Sequence, residues 1–104
     1  MPPPRPESSR SPLLELQVLP NVGPSVAGDL VRLGIRAPAQ LKGRDPYRMY
    51  DQLCRKDGIR HDPCLIDVFI SITEIARGKR AQPWWHFTAR RKAALKKRGS
   101  ASMR

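Results

Sequence analysis

The sequence predicts an all-α protein of four to five short helices, and three observations predict it. Apolar residues recur at i, i+3, i+4 and i+7, most regularly between Leu65 and Ala76. Ser11-Pro12, Asp45-Pro46 and Asp62-Pro63 each set a capping side chain before a proline suited to the first helical position. Glycines at 34, 58 and 78 follow the periodic runs, where a helix that ends in a left-handed residue wants them. No stretch alternates polar and apolar residues as a half-buried strand would.

In chain order, residues 1–10 are rich in Pro, Ser and Arg and read as a disordered lead-in. A helix opened by Ser11-Pro12 is expected to turn Leu13, Leu16 and Val18 inward. A second runs from about Ser25 to Leu33, with Val26, Leu30 and Leu33 on one face and Ala27 small enough for close helix approach. Gly34 ends it, and Ile35 supplies the apolar contact beyond. A short helical turn spans Pro38 to Lys42. The third helix carries Met49, Tyr50, Leu53 and Cys54 and stops near Gly58; the fourth buries Leu65, Val68, Phe69, Ile72, Ile75 and Ala76 and stops at Gly78. Thr88 is a candidate N-cap for a basic C-terminal segment. The division is therefore a lead-in at 1–10, a domain at 11–87 and a basic helical or disordered tail at 88–104.

The segment Leu19-Pro20-Asn21-Val22-Gly23-Pro24-Ser25-Val26-Ala27, with Leu33-Gly34-Ile35, reads as the hairpin of a compact helix-hairpin-helix (SAM-like) domain. Such a turn offers backbone N–H groups and the positive end of a helix to a phosphate. Gly23 is expected to supply the turn's unusual angles and close approach, and Pro24 suits the first helical position. DNA-binding hairpins of this kind usually read Gly-apolar-Gly with a cation soon after. Here Asn21 stands in for the first glycine, tolerating left-handed angles, and Ser25 replaces the cation. The competing reading is a scaffold turn whose Val22 is a core apex.

The 104 residues carry 20 Lys and Arg against 9 Asp and Glu, a formal net charge of +11. That balance favours a polyanionic partner. All nine basic residues beyond Arg77 lie among no acidic ones, so the positive field is assigned to the tail. Arg90, Arg91, Lys92, Lys96, Lys97 and Arg98, with Lys79 and Arg80 upstream, would follow phosphates with a steep salt dependence but read no bases. Their alternative is a solvated tail that keeps the protein soluble. No apolar run approaches the ~20 residues of a membrane span, no secretory signal opens the chain, and two cysteines make no disulfide framework. A cytoplasmic protein without a membrane partner is the expectation.

Trp84 and Trp85 could stack unpaired bases, but core packing is expected of at least one indole, next to the apolar fourth helix. Cys54, His61, Cys64 and His86 invite a zinc reading, yet the C-x6-H-x2-C spacing fits no standard site. Cys64 would sit where a helix start lowers a thiol's pKa, with an Asp nearby to oppose it. The carboxylates are spread out, and several suit caps and helix-surface pairs with Lys and Arg. No nucleophile–base pair or phosphate loop is present, so no enzyme and no cofactor are expected.

Taken together, Leu19-Pro20-Asn21-Val22-Gly23-Pro24, Asp29-Leu30, Leu33-Gly34-Ile35, Leu41, Asp45-Pro46, Tyr50, Leu53-Cys54, Arg60-His61-Asp62-Pro63-Cys64, Asp67-Val68-Phe69 and Pro83-Trp84-Trp85 with Phe87-Thr88 carry a family resemblance. Over roughly residues 12 to 92 the chain resembles the small bacterial helix-hairpin-helix proteins of the pathogenicity-locus family, sometimes labelled mitomycin-resistance proteins. More distantly it is similar to the C-terminal domain of competence regulators. The resemblance implies a compact helical fold and DNA binding. The resulting expectation is a DNA-binding protein of low sequence specificity, meeting double-stranded DNA backbone through the amides of Val22, Gly23, Ser25 and Val26 and through the basic tail. The alternative is a protein–protein interaction adaptor on the same scaffold.

Overall fold

In a computed structural model, residues 11–102 are described, their side chains as far as Arg98. The expected lead-in at 1–10 lies outside the described residues. The elements are α1 (Pro12–Leu16), α2 (Pro24–Arg32), a 3-10 turn at Pro38–Leu41, α3 (Pro46–Asp57), α4 (Cys64–Ala76), a second 3-10 turn at Trp84–Phe87, and α5 (Thr88–Ser102). No strand occurs among the described residues. The protein is all-α.

The starts follow the local chemistry of the sequence. The Ser11 hydroxyl accepts the Leu13 N–H at 3.1 Å, with Pro12 in the first turn. Asp45 accepts the N–H groups of Tyr47 at 2.8 Å and Arg48 at 3.4 Å. Asp62 accepts the Cys64 N–H at 2.9 Å, while Leu65 and Ile66 bond back three residues, so α4 opens on a tight 3-10 turn. Each of these caps satisfies donors that the first helical turn would otherwise leave unpaired.

Three ends share one device. Gly34, at φ 85°, sends its N–H to Val31, and Ile35 reaches back to Leu30. Gly58 and Ile59 do the same at the end of α3, and Gly78 and Lys79 at the end of α4. This double bond pattern around a left-handed residue ties up carbonyls the helix cannot satisfy itself. Ile35 then falls fully into the core, as expected.

α4 is the central element, packed by α3, both 3-10 turns and α5. It is therefore more deeply enclosed than a one-faced helix: Ile66, Ile70, Asp67, Ser71 and Thr73 are buried besides Phe69 and Ile72, while Leu65, Val68, Ile75 and Ala76 are only half-buried. Leu16, Leu30, Leu41, Met49 and Leu53 complete the core around it. In the short α1 only Leu16 is fully inward. Leu13 is 42% and Val18 63% exposed, contrary to expectation. The helix ends at Leu16, so helical spacing no longer directs Val18, and Leu19 turns in instead.

Candidate nucleic-acid interface

The connection from α1 to α2 is held by Asn21. It is the one non-glycine residue with positive φ among those described, at 71°, as an Asn in the glycine position allows. Its side-chain amide donates to Ser71 Oγ and to the Gln82 carbonyl, both at 2.9 Å. One residue thus fastens the turn to α4 and to the loop that follows α4. Gly23 differs from expectation. Its φ of −98° and ψ of −171° are ordinary extended backbone, and an added Cβ would meet nothing within 4 Å. The unusual angle falls on Asn21, so the fold itself makes no demand for glycine at 23.

Helix α2 begins at Pro24 without a side-chain cap, and the first N–H it satisfies is that of Ala27, donating to Gly23 at 2.9 Å. Among the described residues nothing accepts from the N–H groups of Gly23, Ser25 or Val26. Gly23 and Ser25 are exposed; Val26 is half-buried. Val22 leaves the candidate set. Its N–H donates to the Leu19 carbonyl at 3.3 Å and its side chain is buried. It serves as the core apex.

The basic segment is docked along one face. Arg91 is buried beside the fully buried Asp67, with Nε on Oδ1 at 2.9 Å and Nη2 on Oδ2 at 3.3 Å. The Asp67 carboxylate raises the Arg91 pKa further above its ordinary value. Thr88 does not cap. It is already helical, and its hydroxyl donates to Asp67 Oδ2 at 2.7 Å. Arg90 pairs with Glu74 at 2.8 Å and lies 5.0 Å over the Phe87 ring, while Arg98 reaches Asp51 of α3 at 2.6 Å. Leu95 packs on the core. Lys92, Lys96 and Lys97 occupy the remaining arc of α5, exposed and without an ion pair among the described residues, as are Lys79 and Arg80 in the preceding loop.

Pairing redistributes the charge that a count along the chain assigns to the tail. All seven acidic residues between 19 and 77 are engaged. Asp29 and Asp57 hold Arg32 at 2.9 and 2.7 Å. Asp57 also meets His61 at 2.7 Å, and Asp45 and Asp62 cap helices. Asp51, Asp67 and Glu74 are taken by Arg98, Arg91 and Arg90. Three cations of the C-terminal segment are thus spent on the core. Arg44, Arg48, Arg55 and Lys56, on or just before α3, keep no carboxylate partner among the described residues. That positive face was not legible from charge counts, because it depends on which acids the tail neutralises.

The remaining candidates resolve differently. Trp84 is half-buried and Trp85 63% exposed; neither joins the core, whereas Phe87 does at 4% exposure. In a 3-10 turn residues i and i+3 share a side, which puts Phe87 inward and turns Trp85 away. The two indoles meet edge to face with centroids 5.6 Å apart. His61 spends its ring on Asp57, and its N–H donates to Cys54 Sγ at 3.3 Å. Burial first, and then the neighbouring Asp62, push the Cys64 thiol above its ordinary pKa, overriding the helix start. Among the described residues no three His, Cys, Asp or Glu side chains converge as metal ligands, and no helix is long and apolar enough to cross a membrane.

The family model described as pathogenicity locus matches residues 9–93. A Streptomyces lavendulae protein called mitomycin resistance protein McrB is 46% identical over 81 residues, covering 78% of this chain and 77% of its own. No solved structure matches the chain.

Proposed function

Because the chain belongs to the pathogenicity locus family, we propose from its geometry that it is a non-enzymatic, cytoplasmic DNA-binding protein of low sequence specificity that grips the phosphate backbone. The observation that carries this reading is the Asn21 tether. By bonding the Gln82 carbonyl at 2.9 Å it holds the start of α2, with its open N–H groups, against the loop that carries Lys79 and Arg80. Amides at a positive helix end and nearby cations are a combination that suits a phosphate group. Lys92, Lys96 and Lys97 add affinity without base readout.

The test is fluorescence anisotropy with a labelled 20-base-pair duplex across a salt series. The five cations named here would contribute about −4.5 to the slope of log K against log salt. Gly23→Glu should fold, since the position is open and its angles ordinary, and should weaken binding about tenfold or more through like-charge contact. Wild-type protein that fails to bind at low salt would refute the reading.

A specific observation favours one alternative, the protein-interaction adaptor. Trp85, Leu14 and Val18 are 63%, 59% and 63% exposed, and exposed apolar side chains of this size suit a protein partner. Under that reading Trp85→Ala abolishes partner capture and Gly23→Glu leaves it intact.

A further inference from the structure

The α3 face described above has a use that the hairpin and tail do not cover. We propose that Arg44, Arg48, Gln52, Arg55 and Lys56 form a second phosphate track, over which the DNA backbone runs after leaving the hairpin. This rests on the nucleic-acid reading and extends it to a surface for which no motif speaks.

Three facts converge. Shallow hollows lined by Arg44 and Arg48, by Arg48 and Arg55, and by Arg55 and Lys56 all include Gln52, so together they make one furrow along the outer side of α3. Its cations are unspent, since the acids within reach are otherwise engaged. Asp45 caps the helix and Asp51 is held by Arg98, while Arg32 at the rim is already paired with two carboxylates and is not counted. The Arg98–Asp51 bond also lays α5 beside the furrow at Arg98.

The chemistry fits a phosphodiester strand better than an acidic peptide. Guanidinium groups meet two phosphate oxygens at once, and Gln52 can donate between them without adding charge. Arg48 and Arg55 are separated by about 10.5 Å along the helix, the axial span of about three nucleotides of one strand in a duplex. A rigid helix keeps that spacing with little ordering cost.

The experiment compares two doubly neutralised full-length variants, Arg48→Gln/Arg55→Gln and Arg36→Gln/Arg77→Gln, with wild type. All four arginines are exposed and without a carboxylate partner among the described residues, so both variants should melt with wild type. The probe is the same 20-base-pair duplex over the same salt series. The α3 variant is expected to lose about two from the salt slope and to bind at least tenfold more weakly at ~0.1 M salt, while the control changes little. Equal losses in both variants would reduce the effect to net charge and overturn the track. An unchanged α3 variant with a binding wild type would overturn the track alone. No binding by wild type would overturn the reading beneath it. Poly-glutamate displacing the duplex as well as unlabelled DNA does would assign the furrow to acidic proteins instead.

Discussion

Replacing Arg91 by Ala should cost this domain much of its stability. Asp67 is fully buried and accepts three hydrogen bonds, two from Arg91 at 2.9 and 3.3 Å and one from Thr88 at 2.7 Å. Arg91→Ala removes two of the three and leaves a carboxylate that water cannot reach. Breaking a buried pair from one side costs about 3–5 kcal/mol, against a total of ~5–15 kcal/mol for an ordinary domain. At about 4 °C per kcal/mol or more for a domain this small, the melting temperature should fall by at least ~12 °C. Urea unfolding followed by far-UV circular dichroism measures the loss directly. Asp67→Leu/Arg91→Met should recover most of it, because apolar replacement of both partners is often neutral or stabilising. A loss below about 1 kcal/mol for Arg91→Ala, the range of exposed ion pairs, would refute the claim that α5 is clamped through a buried charge.

Other outcomes follow from single positions. Gly34→Ala places a Cβ at φ 85° and should destabilise by about 1–2 kcal/mol, whereas Gly23→Ala, at φ −98° with open space around it, should stay within about 0.5 kcal/mol of wild type in the same unfolding assay. Arg32 first, and His61 second, hold the Asp57 carboxyl below its ordinary pKa. The unfolded chain therefore takes up the proton more readily. The stabilisation is complete above the ordinary carboxylate range and is lost as pH falls through the folded value. Stability measured against pH should accordingly lose part of its acid slope in Asp57→Asn. In a Cys54→Ala background, Cys64 should react with iodoacetamide at pH 8 more slowly when folded than in urea, because burial and Asp62 raise its pKa.

How far the chain could be read depends on the range of the interaction. Ser11, Asp45 and Asp62 cap neighbours two or three residues on, and Gly34, Gly58 and Gly78 close turns within five, so sequence spacing alone locates these helices. The left-handed angle at Asn21 was legible for the same reason, whereas the unusual angles expected of Gly23 are absent. The candidate interface was only half legible. Exposed Lys92, Lys96 and Lys97 could be named in advance, but Arg91 could not be told from its neighbours. Asp67 carries the one available signal: a carboxylate set among Ile66, Val68, Phe69 and Ile70 in an apolar helix must find a partner.

By itself, then, the sequence determined the all-α class, most of the helix starts and stops and the left-handed angle at Asn21, because caps, prolines and left-handed residues act within a few bonds. The tertiary structure alone decided which charges remain open. Asn21 reaches Gln82, Arg98 reaches Asp51 and Arg91 reaches Asp67 across 61, 47 and 24 positions of chain. Charges cancel by distance in space, which is why a tail that carries the formal excess surrenders part of it to the core and leaves α3 positive.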